Sequence, residues 1–232
     1  MSEEEVEYGQ RPFEAPPGAT ELLLVRHGQS AAYREGEPFA LVDGQGDPPL
    51  TAHGQWQASR VGERLRHAEI DAVYVTTLQR TSQTAAPLLG HLGLEPIVEP
   101  DLREIHLGEW EGGVFRKKVA DRDPAFLEVE RTQDWGAIPG AETFGQLQER
   151  VVGAITRIHA AHPGQRVVAV SHGGAIGAAL SDATGAKPLA FATTDNGSIA
   201  HLIVLGDRWI LRRYNDTGHL GGDLSAAAEG LT

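Results

Sequence analysis

Short apolar runs recur along the chain, and helical periodicity fills most of the intervals between them. The run from Leu22 to Val25 is continuous, which is typical of a strand that is covered on both faces. Six such runs predict β-strands. They span residues 21–26, 70–75, 96–100, 166–172, 198–205 and 208–214. Gly206-Asp207 separates the last two runs and predicts a hairpin turn.

Two of the intervals predict amphipathic helices. Thr51 is a candidate N-cap for a helix that continues to about His67. Its expected buried face consists of Trp56, Val61 and Leu65. A second helix begins after Thr143 and ends by Gly164, with apolar residues at three- and four-residue steps. These residues are Phe144, Leu147, Val151, Ile155 and Ile158.

Strands that alternate with helices predict an α/β fold, a three-layer α/β/α sandwich around a mainly parallel sheet. Binding sites in such folds lie at the carboxyl ends of the strands. With 232 residues, of which 41% are hydrophobic, the chain suits one domain with a substantial core. Residues 1–19 are acidic and then proline-rich, and residues 221–232 (GGDLSAAAEGLT) resemble a frayed tail, so both ends are predicted to be flexible and residues 20–220 form the folded domain.

The charge balance narrows the possible partners. Asp and Glu outnumber Lys and Arg by 32 to 20, and the net charge of −12 disfavours nucleic acids and anionic membranes. No segment approaches the roughly 18 apolar residues of a membrane span, and the acidic start does not resemble a secretory signal. We therefore expect a cytoplasmic protein, whose oligomeric state the sequence does not indicate. The absence of cysteine excludes thiolate catalysis.

Two predicted strands end in the same way. LLLVRHG (22–28) and VVAVSHGG (167–174) each lead from a buried run into a histidine and a glycine. A lone histidine at a strand end is usually structural, but His27 and His172 at one edge of a sheet indicate a site. Glycine after each histidine permits a close approach of the backbone to a ligand. Two histidines also suit a metal, with Glu104 as the third ligand of a 2-His-1-carboxylate site.

Two arginines favour a phosphoryl group over a metal ion. Arg26 precedes the first histidine, and Arg80 follows the strand 70–75 at the start of a helix. The planar guanidinium suits bidentate binding of phosphate and stays protonated at neutral pH. Such cations repel a divalent metal and attract a phosphoryl group, so we expect no metal at this site.

Five segments in order resemble the signatures of the histidine phosphatase superfamily, the group with the phosphoglycerate mutase-like fold. They are LVRHGQS, GDPPLTAHGQWQA, TTLQRTSQTA, LREIHLGEWEG and VSHGG, and together they extend from about residue 21 to 175. SIAHLIVL resembles the closing strand of that fold. The resemblance implies a metal-independent phosphatase that uses no cofactor and acts on a small phosphorylated substrate.

The resemblance also implies roles for individual residues. His27 is the nucleophile and forms a phosphohistidine, which requires a neutral imidazole. The charges of Arg26 and Arg80 are expected to lower its pKa. Both arginines and His172 contact the phosphoryl oxygens. Glu104 matches the acid/base glutamate that protonates the leaving group and then deprotonates water.

Further contacts are expected near these groups. The backbone amides of Gly28 and Gly173 are candidate phosphoryl donors, while Gln29 and Ser30 contact the phosphate or order the loop. Glu109 and Glu111 lie close to Glu104 in sequence, and we interpret them as members of a solvated loop.

The chain departs from the family pattern at two points. Tyr33 stands six residues after the nucleophile, where the family commonly has a phosphate-binding asparagine. Asp43-Gly44 stands where many members have Gln-Gly, and a carboxylate at Asp43 would repel a second anionic group on the substrate.

The segment after Glu104 leaves two questions open. Arg116-Lys117-Lys118 is interpreted as a solvated helix face balanced by Asp121, Asp123 and Glu128, with recognition of a second substrate anion as the alternative. Val114, Phe115, Phe126 and Trp135 form either a partly apolar lid or part of the core.

Three functional classes remain. His172 follows Glu104 by only 68 positions, and the intervening segment lacks the basic signature of the classical cofactor-dependent mutases. A hydrolase is therefore favoured over a mutase. A non-catalytic binding module is disfavoured because the nucleophile and both arginines are present.

Overall fold

A six-stranded sheet forms the centre of the molecule in the computed structural model, which describes residues 9–221. The β-strands, numbered in chain order, are Thr20–Arg26 (β1), Leu41–Val42 (β2), Gln45–Gly46 (β3), Ala72–Val75 (β4), Ile97–Val98 (β5), Arg166–Ser171 (β6), Ile199–Leu205 (β7) and Arg208–Asp216 (β8). β2 and β3 form a separate two-stranded hairpin, and the other six strands form the sheet. The order across the sheet is β5-β4-β6-β1-β7-β8. Only β7 runs opposite to the other five strands, so the predicted mainly parallel sheet is confirmed.

Helices cover both faces of the sheet. They are Ala52–Leu65 (α1), Gln79–Leu92 (α2), Val114–Ala120 (α3), Pro124–Thr132 (α4), Phe144–Ala161 (α5) and Gly173–Thr184 (α6). Short 3₁₀ turns occur at Pro100–Leu102, Gly108–Trp110, Trp135–Ala137 and Gly218–Leu220. Leu23 and Val25 of β1 pack with α1 and α2, whereas Leu22 and Leu24 pack with the cluster that includes α5 and α6. Because successive strand residues point to opposite faces, both layers require apolar residues in β1. The three-layer α/β/α fold is confirmed.

The predicted cap of α1 is present, but one predicted buried residue is not. The Thr51 hydroxyl accepts a hydrogen bond from the Gly54 amide at 3.0 Å. Trp56 is 44% exposed and stacks on His53. At 3.6 residues per turn, Trp56 lies about 140° around the helix from Val61, so the two side chains cannot share the buried face. The prediction for Trp56 was therefore wrong.

Helix α5 agrees closely with its predicted pattern. Thr143 and Gln146 form a capping box in which each side chain accepts a hydrogen bond from the other residue's backbone amide. All five predicted apolar positions are buried. The helix ends at Ala161, before the left-handed Gly164 (φ +76°).

The ends of the chain are only partly described. Residues 1–8 and 222–232, which contain much of the two predicted flexible ends, lie outside the described residues. Within the described part of the N-terminal segment, the ring of Phe13 lies 3.8 Å from the guanidinium carbon of Arg212 on β8. The domain boundaries remain a prediction. Across residues 9–221, no helix is both long and apolar enough to cross a membrane.

The topology brings two strand ends together. Strands β1 and β6 are adjacent and parallel, and Arg26 is paired with Ser171 at their last positions. The residues that follow the two strands therefore meet at one carboxyl edge of the sheet.

Candidate active site

His27 is the first residue after β1, and its backbone amide donates to the carbonyl oxygen of Ser171. Its Nδ1 lies 2.7 Å from the carbonyl oxygen of Gly28. Since a carbonyl can only accept, Nδ1 carries the proton. Arg80 Nε donates to Nε2 of the same ring at 3.2 Å. The ring is therefore neutral in this arrangement, with its lone pair on Nε2.

The surroundings of His27 maintain this neutral state. The side chain is buried, and burial, followed by the charges of Arg80 and Arg26, holds the pKa of His27 well below its ordinary value. The direction agrees with the prediction, although burial contributes more than the two cations. A lone pair is thus available on Nε2 at neutral pH.

His172 is the N-cap residue of α6, and its ring centroid lies 5.1 Å from that of His27. Burial and the charge of Arg80 hold the pKa of His172 well below its ordinary value. Its Nε2 lies 3.1 Å from the hydroxyl of Thr76. Its Nδ1 is buried and has no hydrogen-bond partner among residues 9–221. A buried polar atom without a partner is costly, so this nitrogen is suited to a ligand.

Thr76 is a site residue that the sequence analysis missed. It follows β4 directly and is buried beneath His172. The neighbouring Thr81 hydroxyl donates to the carbonyl of Leu78 at 2.8 Å, which engages its only proton. The Thr76 hydroxyl proton is therefore directed to His172 Nε2 or to Thr81, at 3.1 and 3.2 Å. The available signal was a hydroxyl residue at the same sheet edge as the two histidines.

Both predicted arginines reach the same place. Arg26, at the end of β1, is buried and donates from Nη1 to the carbonyl oxygen of Thr194. Arg80 lies in the first turn of α2 and donates from Nη1 to the carbonyl oxygen of Gly46 at 3.0 Å. Burial lowers the pKa of Arg80 to about 10, so the group stays protonated at neutral pH.

The carboxylate of Glu104 is fixed against the start of α6. Its Oε1 accepts from the Ile105 amide at 2.9 Å, and its Oε2 accepts from the Gly174 amide at 3.2 Å. A Cβ at Gly174 would lie 2.3 Å from Oε1, so only glycine leaves room for this arrangement. Four of the five predicted catalytic residues line one cavity, and His172 is buried against His27. The four are Arg26, His27, Arg80 and Glu104.

The cavity has a volume of about 130 Å³, and the rest of its lining is mainly apolar. Its apolar lining includes Phe39, Ile105, Leu107, Trp110, Phe115, Trp135, Phe144 and Leu189. Phe115 and Trp135 also belong to the main core, as do Val114 and Phe126, which do not line the cavity. The core interpretation is therefore confirmed for this group, and Phe115 and Trp135 line the cavity as well, while a role as a lid stays a prediction.

Residues 22–217 match the histidine phosphatase superfamily (branch 1). The chain belongs to this superfamily. It is 31% identical over 203 residues to phosphoglycerate mutase-like protein 4 of Arabidopsis thaliana, covering 86% of each chain. It is 32% identical over 205 residues to the metal-independent phosphoserine phosphatase of the same plant, covering 87% of this chain and 83% of the relative. A mycobacterial glucosyl-3-phosphoglycerate phosphatase superposes with a TM-score of 0.70 at 28% identity, over 86% of this chain and all of that one.

A metal centre would not suit the imidazoles of this histidine phosphatase. A metal cation bound to His27 Nε2 would lie beside the positive charge of Arg80, whose Nε is 3.2 Å from that nitrogen, and would be repelled by it. Throughout the described part of the chain, no three His, Asp or Glu side chains are grouped so as to hold a metal ion.

The expected contacts around the nucleophile of this histidine phosphatase differ in their outcome. The Gly28 amide donates to the Thr84 hydroxyl at 3.0 Å, so its proposed use as a phosphoryl donor was wrong. Gln29 orders the loop, because its side-chain oxygen accepts from the Thr51 hydroxyl. Ser30 and Gly173 both line the cavity.

Asp43, which was expected to repel a second anionic group on the substrate, has a different role in the structure. Asp43 occupies the left-handed turn between β2 and β3 (φ 49°), and its carboxylate pairs with Arg103 at 3.1 Å. It does not line the cavity, so the predicted repulsion was wrong. Gln45-Gly46, two positions later, lines the cavity, and Gln45 donates to the carbonyl of Glu104.

Of the two neighbouring glutamates, only one is solvated. Glu109 is exposed, as expected. Glu111 accepts from the amides of Leu107 and Gly46, each at 2.8 Å, so the solvated-loop interpretation was wrong for this residue. Because the Gly46 carbonyl in turn accepts from Arg80, Glu111 helps to fix the position of Arg80.

The three basic residues Arg116, Lys117 and Lys118 also differ in their surroundings. Lys117 pairs with Asp121 at 2.6 Å and Lys118 with Asp123 at 2.7 Å, as expected of a solvated helix face. Arg116 instead lines the cavity with His27, so that interpretation was wrong for Arg116.

Proposed function

We propose that this histidine phosphatase hydrolyses small phosphomonoesters through a phosphohistidine on Nε2 of His27, without a metal. The observation that carries the proposal is the neutral His27 ring, whose Nε2 lies 3.2 Å from Arg80 Nε. In the first step the Nε2 lone pair forms a bond to phosphorus. The bond between phosphorus and the ester oxygen breaks, and its electron pair remains on that oxygen.

The surrounding cations support this displacement. Arg26 and Arg80 are buried beside the nucleophile, where fixed positive charges stabilise the phosphoryl oxygens more strongly than they would in water. His172 adds a buried nitrogen without a partner in the described structure. Positioning and electrostatic stabilisation are the main requirements of phosphoryl transfer.

Glu104 supplies the proton transfers in this proposal. Its carboxyl group gives a proton to the departing alkoxide, and the resulting carboxylate takes one from the water that attacks the phosphohistidine. The products are an alcohol and inorganic phosphate, and both His27 and Glu104 return to their starting states. The amides of Ile105 and Gly174 hold the carboxylate in place.

The apolar wall supports a substrate whose alcohol part is largely apolar. Gln45 and Glu111, two polar side chains on this wall, are both engaged in hydrogen bonds to the backbone. A mutase would need groups here to hold a carboxylate and a second phosphate. Mutase-type phosphotransfer nevertheless remains the second candidate, because relatives named as mutases share this family.

Phosphate release from a panel of esters tests the proposal. The panel comprises 3-phenylpropyl phosphate, O-phosphoserine and 3-phosphoglycerate, each with and without EDTA and 2,3-bisphosphoglycerate. We expect EDTA-resistant release, fastest with the phenylpropyl ester, and an acid-labile, base-stable phosphate on the wild type that is absent from His27→Asn. Isomerase turnover that requires the bisphosphate would instead identify a mutase, and absence of both activities would contradict the assignment.

We also propose that the biological partner is a small phosphorylated molecule and that the protein is cytoplasmic. The net charge of −12 supports both, since it opposes binding to polyanionic surfaces.

A further inference from the structure

We infer that Arg116 is a third phosphoryl-binding arginine, which takes over the contact that the family's asparagine would make at position 33. The inference rests on the proposed function. It concerns a residue of α3, far in sequence from the strand ends that supply the other cations.

The side chain of Arg116 reaches back to the loop that follows the nucleophile. Its Nη1 donates to the carbonyl of Ala31, and its Nη2 donates to the hydroxyl of Ser30 at 2.9 Å. The guanidinium carbon lies 5.6 Å from the centre of the Phe39 ring. These contacts fix the group at the rim of the cavity that contains His27. A guanidinium has five N–H groups, so donors remain for a ligand.

The charge of Arg116 is not balanced within the described structure. Lys117 and Lys118, its neighbours on α3, each pair with an aspartate. Between residues 9 and 221, no carboxylate lies within 4 Å of the Arg116 guanidinium. Burial and the nearby charge of Arg26 both lower the pKa of Arg116. Two buried like charges are costly, and a phosphoryl dianion between them would offset that cost.

Tyr33 explains why Arg116 reaches this position. The Tyr33 ring packs edge-on against Phe39, with 6.2 Å between the ring centroids. It also lies against Gly113, the N-cap residue of α3, where a Cβ would come within 2.6 Å of the ring. The tyrosine that replaces the asparagine therefore supports the start of the helix that carries Arg116.

The alternative role for Arg116 is recognition of a second anionic group on the substrate. The two roles predict different binding results for a ligand that has no second anionic group, such as inorganic phosphate. We therefore compare Arg116→Gln with Arg131→Gln, which removes the same guanidinium charge from an exposed position on α4. Calorimetric titration with inorganic phosphate measures binding directly, and circular dichroism verifies that each variant is folded.

We expect phosphate affinity to fall roughly 10- to 100-fold in Arg116→Gln and less than about 2-fold in Arg131→Gln. The value of kcat/KM should fall by similar factors for 3-phenylpropyl phosphate and for 3-phosphoglycerate. Unchanged phosphate affinity, or a loss confined to 3-phosphoglycerate, would overturn the inference in favour of second-anion recognition.

Arg116→Lys provides a second variant that keeps the charge but loses the forked donors. Its phosphate affinity should lie between those of the wild type and Arg116→Gln. If Arg116→Gln does not fold, the lysine variant decides alone, and wild-type affinity in Arg116→Lys would then overturn the inference. If the wild type hydrolyses no ester, the proposed function fails. The phosphate titrations then still decide whether Arg116 binds the phosphoryl group.

Discussion

Arg80 Nε lies 3.2 Å from Nε2 of His27 and points its proton at the nitrogen that carries the lone pair. Protonation of His27 would place two donors against each other in a buried site, which is unfavourable. The guanidinium thus keeps the imidazole in its reactive state before substrate arrives.

Protonation of the two buried histidines should make the fold sensitive to acid. In the unfolded chain both rings titrate near 6.5, whereas the folded pKa of each is held well below that value. Below about pH 6.5 the unfolded chain therefore binds more protons, and the free energy of unfolding falls as the pH drops. The slope should approach about 1.4 kcal/mol per pH unit for each ring.

Urea denaturation at pH 7.5 and 5.5 measures this effect, with His27→Gln as the comparison. The variant should lose less stability between the two pH values than the wild type. Equal losses in both proteins would show that His27 is not held neutral by the fold.

Removal of the Glu104 carboxyl group should impair the departure of poor leaving groups. For Glu104→Gln we expect kcat/KM on an alkyl phosphate, which reports the step that forms the phosphohistidine, to fall roughly 10²- to 10⁴-fold, because the alkoxide is no longer protonated. The loss should be much smaller with 4-nitrophenyl phosphate, whose phenolate leaves without a proton.

Glu109→Gln is the matched control, since Glu109 is exposed and only five residues away. Its kinetics should resemble those of the wild type. An equal loss of kcat/KM on both substrates in Glu104→Gln would argue against a role in protonating the leaving group.

The Thr76 hydroxyl should orient the second histidine. In Thr76→Val the hydrogen bond to His172 Nε2 is lost. We expect kcat to fall roughly 10-fold while the variant remains folded under the assay conditions. Thr76→Ser should restore most of the activity. The ¹⁵N chemical shifts of the His172 ring should change in the valine variant and return in the serine variant.

Thr77→Val provides a closely matched control. The Thr77 hydroxyl is buried but has no hydrogen-bond partner in the described residues, so its removal should leave activity and ¹⁵N shifts unchanged. Similar effects of the two valine substitutions would indicate a packing role and not an orienting one.

Gly174→Ala should reproduce much of the effect of losing Glu104. The added Cβ would lie 2.3 Å from Glu104 Oε1 and must displace the carboxylate. We expect the same selective loss on alkyl phosphates as in Glu104→Gln. Gly90→Ala in α2 is the control, since nothing lies within 4 Å of its Cβ and alanine favours the helix. Full activity of Gly174→Ala on alkyl phosphates would contradict the proposed position of the acid.

The sequence was sufficient where the relevant contacts follow from the sheet itself. His27 and His172 each follow an apolar run, and adjacent parallel strands bring such positions to one edge. The pattern also located Arg80, because a helix that begins after a strand presents its first turn to that edge. These relationships depend on periodicity and topology, which a single sequence records.

The sequence was insufficient where a contact depends on the path of a connection. Arg116 and Lys117 are adjacent and carry the same charge, yet only Arg116 lines the apolar cavity, beside the packing of Tyr33 and Phe39 at the start of α3. Asp43 and Gln45 exchange expected roles because the turn between β2 and β3 directs one outward and the other into the cavity. Neither outcome has a local signature.

Most of the apolar wall of the cavity comes from residues 105–144, a connection that lies outside the six-stranded sheet. The nucleophile and two of its cations, in contrast, are anchored to the sheet or to α2. Changes in the apolar side chains of this connection can therefore reshape what the enzyme accepts while His27, Arg26 and Arg80 keep their positions. Evolution toward new substrates in this protein has a separate region in which to proceed, and engineering of its selectivity should begin there.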